Sequence, residues 1–520
     1  MGGAVSDERS PRTMSDLLLG ATRYSSSLAV ATAHMLPGWR RAVCRQYGLA
    51  PGTVDVAHYA RSAGRSFSSP DAAAFHYLEV GSKRGWSPRM GFSPAEYRRE
   101  NPDTTLAGYE PFAHWLRFGR EEGRGAAARP DPAPPDIRHL LKHRRPDTAR
   151  AMVDVVVPVY GSRALALQAI GSVLGAETRE AYELVVVDDA SPDPLLRGEL
   201  EALAEAGLIT LVVNERNVGF VGSVNRGFGL HPGRDVVLLN SDARVFGDWL
   251  DRLLAALRTS RTATATPLSN AATILSYPAT LCENRLPVAA DVAQWDRLCA
   301  AIDAPVVEIP TGIGFCMAVS RACLDQIGAL DQERFGRGYG EENDFCLRAT
   351  AAGWRHVAAP GLFVWHRGGA SFGEERGQLI AAAQATLETL HPGYAASVGR
   401  FIRRDPLEPV RRALDIARIR ADSRLKRLCI GAAPTPSERD VLEIELVPDL
   451  PPFAGQYRLV PKGIGAAPNL PRFGPSMTTD SLATLLQDLG IRECRAGETG
   501  KAASGLSERI CQALEISIIR

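Results

Sequence analysis

The sequence is short of lysine and has no long apolar run. Lysine occupies five of 520 positions (Lys83, Lys142, Lys426, Lys462, Lys501), so arginine carries the basic side of the balance. That skew reads as the compositional bias of a GC-rich genome more than as a selected guanidinium surface. Sixty basic and 59 acidic side chains leave a formal charge of +1, which gives no chain-wide attraction for nucleic acid or anionic lipid. No apolar stretch reaches the roughly 18 to 20 residues that a spanning helix needs, which argues against an integral membrane protein. The nine cysteines form no CxxC pair and no Cys/His metal spacing; reduced cytoplasmic thiols are the expectation. The N-terminus MGGAVSDERSPR lacks the apolar core of a secretory signal. Met1-Gly2 with Ser6 meets the myristoylation pattern only formally. A composition of 45% hydrophobic and 23% charged residues is that of a globular protein and argues against wholesale disorder. The length provides for roughly three domains of about 150 residues.

A repeat lies in the first third. His76-Tyr77-Leu78-Glu79-Val80-Gly81 is followed by His114-Trp115-Leu116-Arg117-Phe118-Gly119, and each copy runs on to another glycine, Gly85 or Gly123. A short helix bearing an aromatic pair and ended by a C-cap glycine explains each unit. Stacked copies would share a core that one copy cannot close. The histidines read as partly buried core residues. Residues 1–125 are therefore expected to hold a helical repeat module for docking or spacing. GAAARPDPAPPD opens a Pro/Ala linker over 126–150.

The texture then changes. Val153-Asp154-Val155-Val156-Val157-Pro158-Val159-Tyr160 and Glu183-Leu184-Val185-Val186-Val187-Asp188-Asp189 are the runs of strands buried on both faces. Helices are predicted at 163–175 and 195–206, with further strands at 208–213 and 235–240. This alternation implies βαβ units and a mostly parallel α/β sheet over 151–375, with ligands beyond the carboxyl ends of the strands. Residues 376–425 read as a helical segment. Residues 426–520 read as a C-terminal α/β extension with a helix near 480–489.

Polar residues cluster where such a sheet binds its ligands. Asp188 and Asp189 leave a buried strand and need donors, either from a nucleotide or from a helix start they cap. In Asn217-Val218-Gly219-Phe220-Val221-Gly222-Ser223-Val224-Asn225-Arg226-Gly227, glycines allow close backbone approach and helix-start N–H groups suit an anion. Asn240-Ser241-Asp242 ends the fourth strand with two oxygen-bearing side chains two apart, a pattern for a hard divalent cation shared with a diphosphate. Gly338-Tyr339-Gly340-Glu341-Glu342-Asn343-Asp344 brings three carboxylates to a helix start. The helix dipole favours them there, yet their crowding suits one of them to general-base work. His366 follows an apolar strand and precedes Gly368-Gly369-Ala370-Ser371-Phe372-Gly373, as a metal ligand beside a lid would.

In this order the motifs VVVPVY, VVVDDAS, NVGF with NRG, LLNSD, GYGEENDFCLR and VWHRGGAS resemble those of the inverting family 2 glycosyltransferases. The likeness covers about residues 152–375 and implies a GT-A type, Rossmann-like, mostly parallel sheet. The repeats also resemble HYL..G..EGR units that precede such domains in bacterial polysaccharide enzymes. Residues 426–491 look like the opening of a GT-B-type transferase domain. The resemblance implies that Asp188, with Pro158, Tyr160 and Asp189, lines a nucleotide pocket. Asn217, Gly219, Asn225 and Ser241 would lie near ribose and diphosphate. Asn240 and Asp242 stand at the family's D-x-D metal motif, and His366 at a further metal ligand. Glu342 matches the catalytic base, with Glu341 and Asp344 positioning sugar or acceptor. Two residues depart from the pattern: Asn240 is a neutral ligand expected to weaken metal binding, and the base is glutamate where aspartate is commoner.

The expected activity is transfer of a sugar, with inversion, from a nucleotide-diphosphate donor to a hydroxyl of a glycan or lipid-linked glycan, assisted by Mn²⁺ or Mg²⁺, in cell-surface polysaccharide assembly. The expected location is the cytoplasm, peripherally on the inner face of the membrane, with no nucleic-acid partner. A non-catalytic, nucleotide-binding scaffold is the alternative: Asn240 favours it, and the Glu342, Asp242 and His366 set opposes it. A nucleotidyltransferase would want a Gly-rich, lysine-bearing loop after the first strand. Gly161-Ser162-Arg163 stands there, and no lysine lies between 143 and 425.

Overall fold

The computed structural model describes residues 39–94, 97–98, 101–120, 124, 133–284, 292–302, 304–336, 338–368, 376–431, 440–453, 456–464, 467–473, 478–496 and 518–519. Cα packing divides the chain into two compact units, one of residues 126–421 and one joining 1–125 to 422–520. The myristoylation pattern, Gly123, most of the Pro/Ala stretch and 369–373 of the glycine-rich loop lie outside the described residues.

The 126–421 unit is built on strands β1 (Val153–Val159), β2 (Tyr182–Asp188), β3 (Thr210–Val213), β4 (Asp235–Leu239), β5 (Ala243–Arg244), β6 (Thr262–Ser269), β7 (Val307–Ile309), β8 (Cys316–Val319) and β9 (Arg355–His366). They form one sheet in the order β3-β2-β1-β4-β8-β6-β9-β5, with β7 paired to β9. The β1, β2, β3 and β4 ladders are parallel, as is the long β6–β9 ladder. β8 runs antiparallel between β4 and β6.

Every residue of β1 and β2 is buried, which is why the two runs read as continuous aliphatic sequence rather than as an alternation. The alternation is there in space. Val153, Val155, Val157 and Val159 pack with Ile170 of helix α1 (Arg163–Leu174) in one core. Val156, Val185 and Val187 pack with Val221, Val224 and Phe228 of α3 (Gly219–Phe228) in the other. Between them in sequence, α2 (Pro194–Glu205) returns the chain from β2 to β3. A Cβ on Gly227 would stand 2.3 Å from Val156 Cγ1, so glycine is what lets α3 lie against β1. Parallel register brings the strand ends level: Val159 pairs with Asp188.

In the second unit, strands β10 (Leu425–Ile430), β11 (Val441–Pro448), β12 (Tyr457–Pro461), β13 (Ile491–Ala496) and β14 (Ile518–Ile519) form a sheet in the order β12-β11-β10-β13-β14. Its pairs are parallel except β11–β12. The predicted helix spans Thr479–Asp488. The two sequence repeats contain the same three-residue lock. Tyr59 Oη meets His76 Nδ1 at 2.8 Å and Tyr97 Oη meets His114 Nδ1 at 2.9 Å. A Cβ on Gly81 or Gly119 would stand 2.2 or 2.4 Å from the same tyrosine hydroxyl. These glycines lie within π-helical turns, Tyr77–Gly81 and Trp115–Gly119. The requirement for glycine is therefore the ring above it and not a left-handed cap. Tyr109, between Tyr97 and His114 of the second lock, donates to Asp449 Oδ1 at 2.8 Å, and Arg472 reaches both groups. This ties the repeats to the sheet.

Candidate active site

The site lies at the carboxyl ends of β1, β2 and β4 and at the start of β8. Tyr160 leaves β1 57% exposed, available to a flat ligand, and Pro158 is buried in the strand beside Val187. The paired acids at the end of β2 are both committed to the protein. Asp188 accepts from Ser191 N at 2.9 Å and from Arg197 Nε at 2.7 Å. Asp189 accepts from Asn214 Nδ2, Val218 N and Gly219 N at 2.8, 2.8 and 2.9 Å. The helix-start N–H groups predicted to face an anion do face one, and it is Asp189. Asn217 is exposed beside this turn. Asn225 turns away to Leu330, donating to its carbonyl at 2.8 Å and accepting from its N–H at 3.0 Å. Its carboxamide holds two chain segments together.

Asn240, Ser241 and Asp242 follow β4 and are half-buried. Asn240 N donates to Phe315 O at 2.8 Å, while Asn240 Oδ1 is buried without a hydrogen-bond partner. Antiparallel pairing of β5 with β9 sets Ala243 opposite His366. Asp242 and His366 are thereby brought together, Oδ1 to Nε2 at 3.2 Å, with side chains 14% and 15% exposed. The far side of the imidazole is fixed: Nδ1 lies 2.7 Å from Ala271 O, and the ring stacks on Phe315 at 5.2 Å between centroids. Donation from Nδ1 turns Nε2 to the carboxylate, to which it donates when the ring is protonated. Burial disfavours both charges, yet mutual attraction holds the Asp242 carboxyl below its ordinary pKa and His366 above.

The third cluster opens α4 (Glu341–Ala351). Gly338, Tyr339 and Gly340 have φ of 134°, 71° and 89°, a run of left-handed backbone that is strained at the tyrosine. Glu341 Oε2 and Glu342 Oε2 are both buried without partners. Burial raises the pKa of each carboxyl, and the Glu342 charge raises Glu341 further. The pair is an arrangement that retains a proton. Asp344 differs from them: it accepts from Arg348 Nε at 2.8 Å and meets His391 Nε2 at 2.8 Å.

A segment that the sequence did not single out, Thr311-Gly312-Ile313-Gly314-Phe315, joins these clusters. Phe315 touches Asn240 and His366 as described above. A Cβ on Gly314 would lie 3.9 Å from Glu342 Cβ and Cδ. Thr311 Oγ1 is 3.2 Å from the hydroxyl of Tyr394, which donates to Asn343 Oδ1 at 3.0 Å. Burial pushes the Tyr394 pKa up to about 12, the Thr311 hydrogen bond opposes this, and the Glu342 charge adds to it. The two glycines so close together signal a turn in sequence. What the turn does depends on long-range pairing.

The donor set of Asn240, Asp242 and His366 (amide oxygen, carboxylate and oriented imidazole) fits a divalent cation of the manganese or magnesium type. The unpartnered Asn240 oxygen is the observation in its favour. A second group of potential ligands, Asp154, Glu183 and His231, has donor atoms within 4.8 Å of one another. It lies toward the amino ends of β1 and β2. Arg234 Nη1 sits among them, 2.8 Å from Asp154 and 2.7 Å from Glu183, so a guanidinium already supplies the positive charge.

Residues 154–327 match the Glycosyl transferase family 2 model. An uncharacterized glycosyltransferase of Haemophilus influenzae is 27% identical over 107 residues, covering 20% of this chain and 32% of that protein. A putative polypeptide N-acetylgalactosaminyltransferase 13 of Drosophila melanogaster is 32% identical over 145 residues, 25% of this chain and 26% of that protein. The matches thus span about a third or less of these relatives' length. Among solved structures, the mannosyltransferase PcManGT of Pyrobaculum calidifontis, in complex with GDP-Man and Mn2+, aligns at 18% identity and a TM-score of 0.35. That alignment covers 55% of this chain and 81% of that one. GalNAc-T7 with UDP, GalNAc and Mn2+ aligns at 16% identity and 0.34, over 50% and 56%. The family 2 glycosyltransferase match is confined to residues 154–327, and the helix bearing Glu342 and the strand ending in His366 lie beyond it.

Proposed function

We propose that the chain transfers a sugar, with inversion, from a nucleoside-diphosphate donor to a hydroxyl of a glycan or lipid-linked glycan, in bacterial cell-surface polysaccharide assembly. The observation that carries the reading is the set of buried, unpartnered oxygens on Asn240, Glu341 and Glu342, gathered around one glycine turn with the Asp242–His366 pair. Buried polar atoms of a folded protein are nearly always hydrogen-bonded. Three exceptions around one turn are costly unless a ligand completes them, and a scaffold that only held nucleotide would have no need of the Glu341–Glu342 pair.

Tyr160 stacks on the base, and Asp188, fully buried and held by Ser191 and Arg197, supports the pocket from behind. Asp189, Gly219 and Asn225 shape the pocket without touching the donor, and Asn217 and Ser241 reach its ribose and phosphates. A divalent cation held by Asn240, Asp242 and His366 would neutralise charge developing on the leaving diphosphate. Glu342 takes the proton of the acceptor hydroxyl as that oxygen bonds to the anomeric carbon and the diphosphate oxygen departs from the opposite face. The protonated Glu341 donates to Glu342 and keeps the shared charge at one. A single displacement by the acceptor needs no sugar–enzyme bond and inverts the anomeric configuration.

The test is a thermal-shift panel of uridine, thymidine, guanosine and cytidine diphosphates, each with and without Mn²⁺. A rise with one base that depends on the metal is expected. No shift with any of them would overturn the reading.

A further inference from the structure

The segment His391-Pro392-Gly393-Tyr394 lies beyond the stretch that matches the family. It connects the helix Arg376–Leu390 to α5 (Tyr394–Arg404). The turn is itself pinned: His391 N donates to Leu387 O at 2.8 Å, and Gly393 N to Glu388 Oε1 at 3.0 Å. Gly393, at φ 89°, caps α5 in a left-handed conformation, so the side chains of His391 and Tyr394 are presented from a fixed backbone.

Both side chains grip the first turn of α4. His391 Nε2 lies 2.8 Å from Asp344 Oδ1, and the Tyr394 hydroxyl donates to Asn343 Oδ1 at 3.0 Å while touching Thr311 Oγ1 at 3.2 Å. On the other side Arg348 binds Asp344 and reaches the carbonyls of Ile327 and Ala329 at 2.7 and 2.9 Å. Residues 343 and 344 are thus held from two directions. Their neighbour Glu342 has a carboxylate oxygen with no partner. The chain entering this turn runs through three successive left-handed residues. A left-handed tyrosine costs about 1–3 kcal/mol and persists only when its surroundings impose it. The groups that hold Glu342's carboxylate, the backbone of Gly340 and of Glu342 and the Glu341 side chain, all belong to this same turn, and the turn is clamped from outside.

We propose that His391 and Tyr394 form a latch that positions Glu342, the latch resting on the reading of Glu342 as the base. Neither residue touches the reacting atoms. They act through Asp344 and Asn343, and the transferase machinery then extends through the helices that follow β9.

Tyr394→Phe keeps the ring and removes the grip. Its consequences are read in the full-length chain by two measurements, one of them independent of turnover. Hydrogen exchange followed by mass spectrometry should show the amides of 341–345 exchanging roughly tenfold faster in Tyr394→Phe, because a clamped turn becomes locally open. With the nucleoside-diphosphate hexose that the wild type turns over, kcat should fall roughly 10- to 100-fold with donor KM unchanged, as a displaced base would produce. His391→Ala should behave likewise, and His391→Gln, which keeps a donor for Asp344, should recover most of the loss. In a Glu342→Gln background Tyr394→Phe should cost nothing further, since a residue acting through another is non-additive with it. Unchanged exchange at 341–345, unchanged kcat, or losses that multiply in the double variant would each overturn the latch. Survival of transfer in Glu342→Gln alone would instead overturn the assignment of the base.

Discussion

Glu341 and Glu342 carry a prediction whose sign follows from burial. Both carboxyls are buried, each has an oxygen without a partner, and burial raises both pKa values. An acid whose pKa is higher folded than unfolded contributes fully below the unfolded value, near 4.3. That contribution is lost as pH rises, because the unfolded chain releases the proton that the folded pair keeps. The loss is about 1.4 kcal/mol for each pH unit over which the pair stays protonated. Glu341→Gln cannot titrate and leaves one acid where there were two. For a unit of this size 1 kcal/mol moves Tm by roughly 2 °C. The variant's Tm should equal the wild type's near pH 4.5, then rise above it by roughly 3 °C per pH unit until the pair ionises. The assay is thermal unfolding of both proteins at matched pH from 4.5 to 8, read as a difference so that titration elsewhere cancels. A difference independent of pH, or a wild type that gains on the variant as pH rises, would refute the argument that the pair holds a shared proton.

Asp242→Ala should abolish the Mn²⁺ dependence of nucleoside-diphosphate binding in calorimetry; unchanged dependence would remove Asp242 from the metal site. Glu342→Gln should keep nucleotide affinity within about threefold while losing transfer by at least about 100-fold, the range of general-base contributions. His356, 1% exposed, is held down to a pKa of about 4 by burial, against a hydrogen bond to the Cys346 carbonyl. Its contribution is present above pH 6.5 and is lost as pH falls towards 4, up to about 3 kcal/mol; a His356→Gln variant should show a flatter acid limb in urea unfolding. Gly119→Ala would place a methyl 2.4 Å from Tyr97 Oη and should destabilise its unit by roughly 1–3 kcal/mol, with circular dichroism melting as the check.

The parallel half of the sheet was legible because its strands are buried on both faces, and such strands are written as unbroken β-branched runs. β1 and β2 fall within a residue or two of their predicted ends. The antiparallel half was harder to read. β8 is CMAV and β6 is TATATPLS, short or threonine-rich segments whose burial comes from neighbours distant in sequence. The repeats were visible as matching letters. The reason for their glycines was not, since it depends on tyrosines that precede each copy by a helix and a turn.

At the site the sequence identified residue types but not which of their atoms remain free. Asp188-Asp189 and Glu341-Glu342 look alike on paper, two adjacent acids at the end of an element. Folding separates them. The first pair is taken up by Arg197, Ser191, Asn214 and the N–H groups of Val218 and Gly219, partners set by where β3 and α3 return the chain. The second stands on a strained glycine-rich entry beside Gly314 and keeps an unpartnered oxygen on each residue. A desolvated acid without a donor lowers stability, and local rules that a fold breaks without compensation cluster at working sites. By that argument the carboxyl pair most expensive to the fold, and not the one most fully bonded, is where a substrate hydroxyl belongs. Asn240 Oδ1, buried and unpartnered at the end of β4, is the matching exception on the side proposed for the cation.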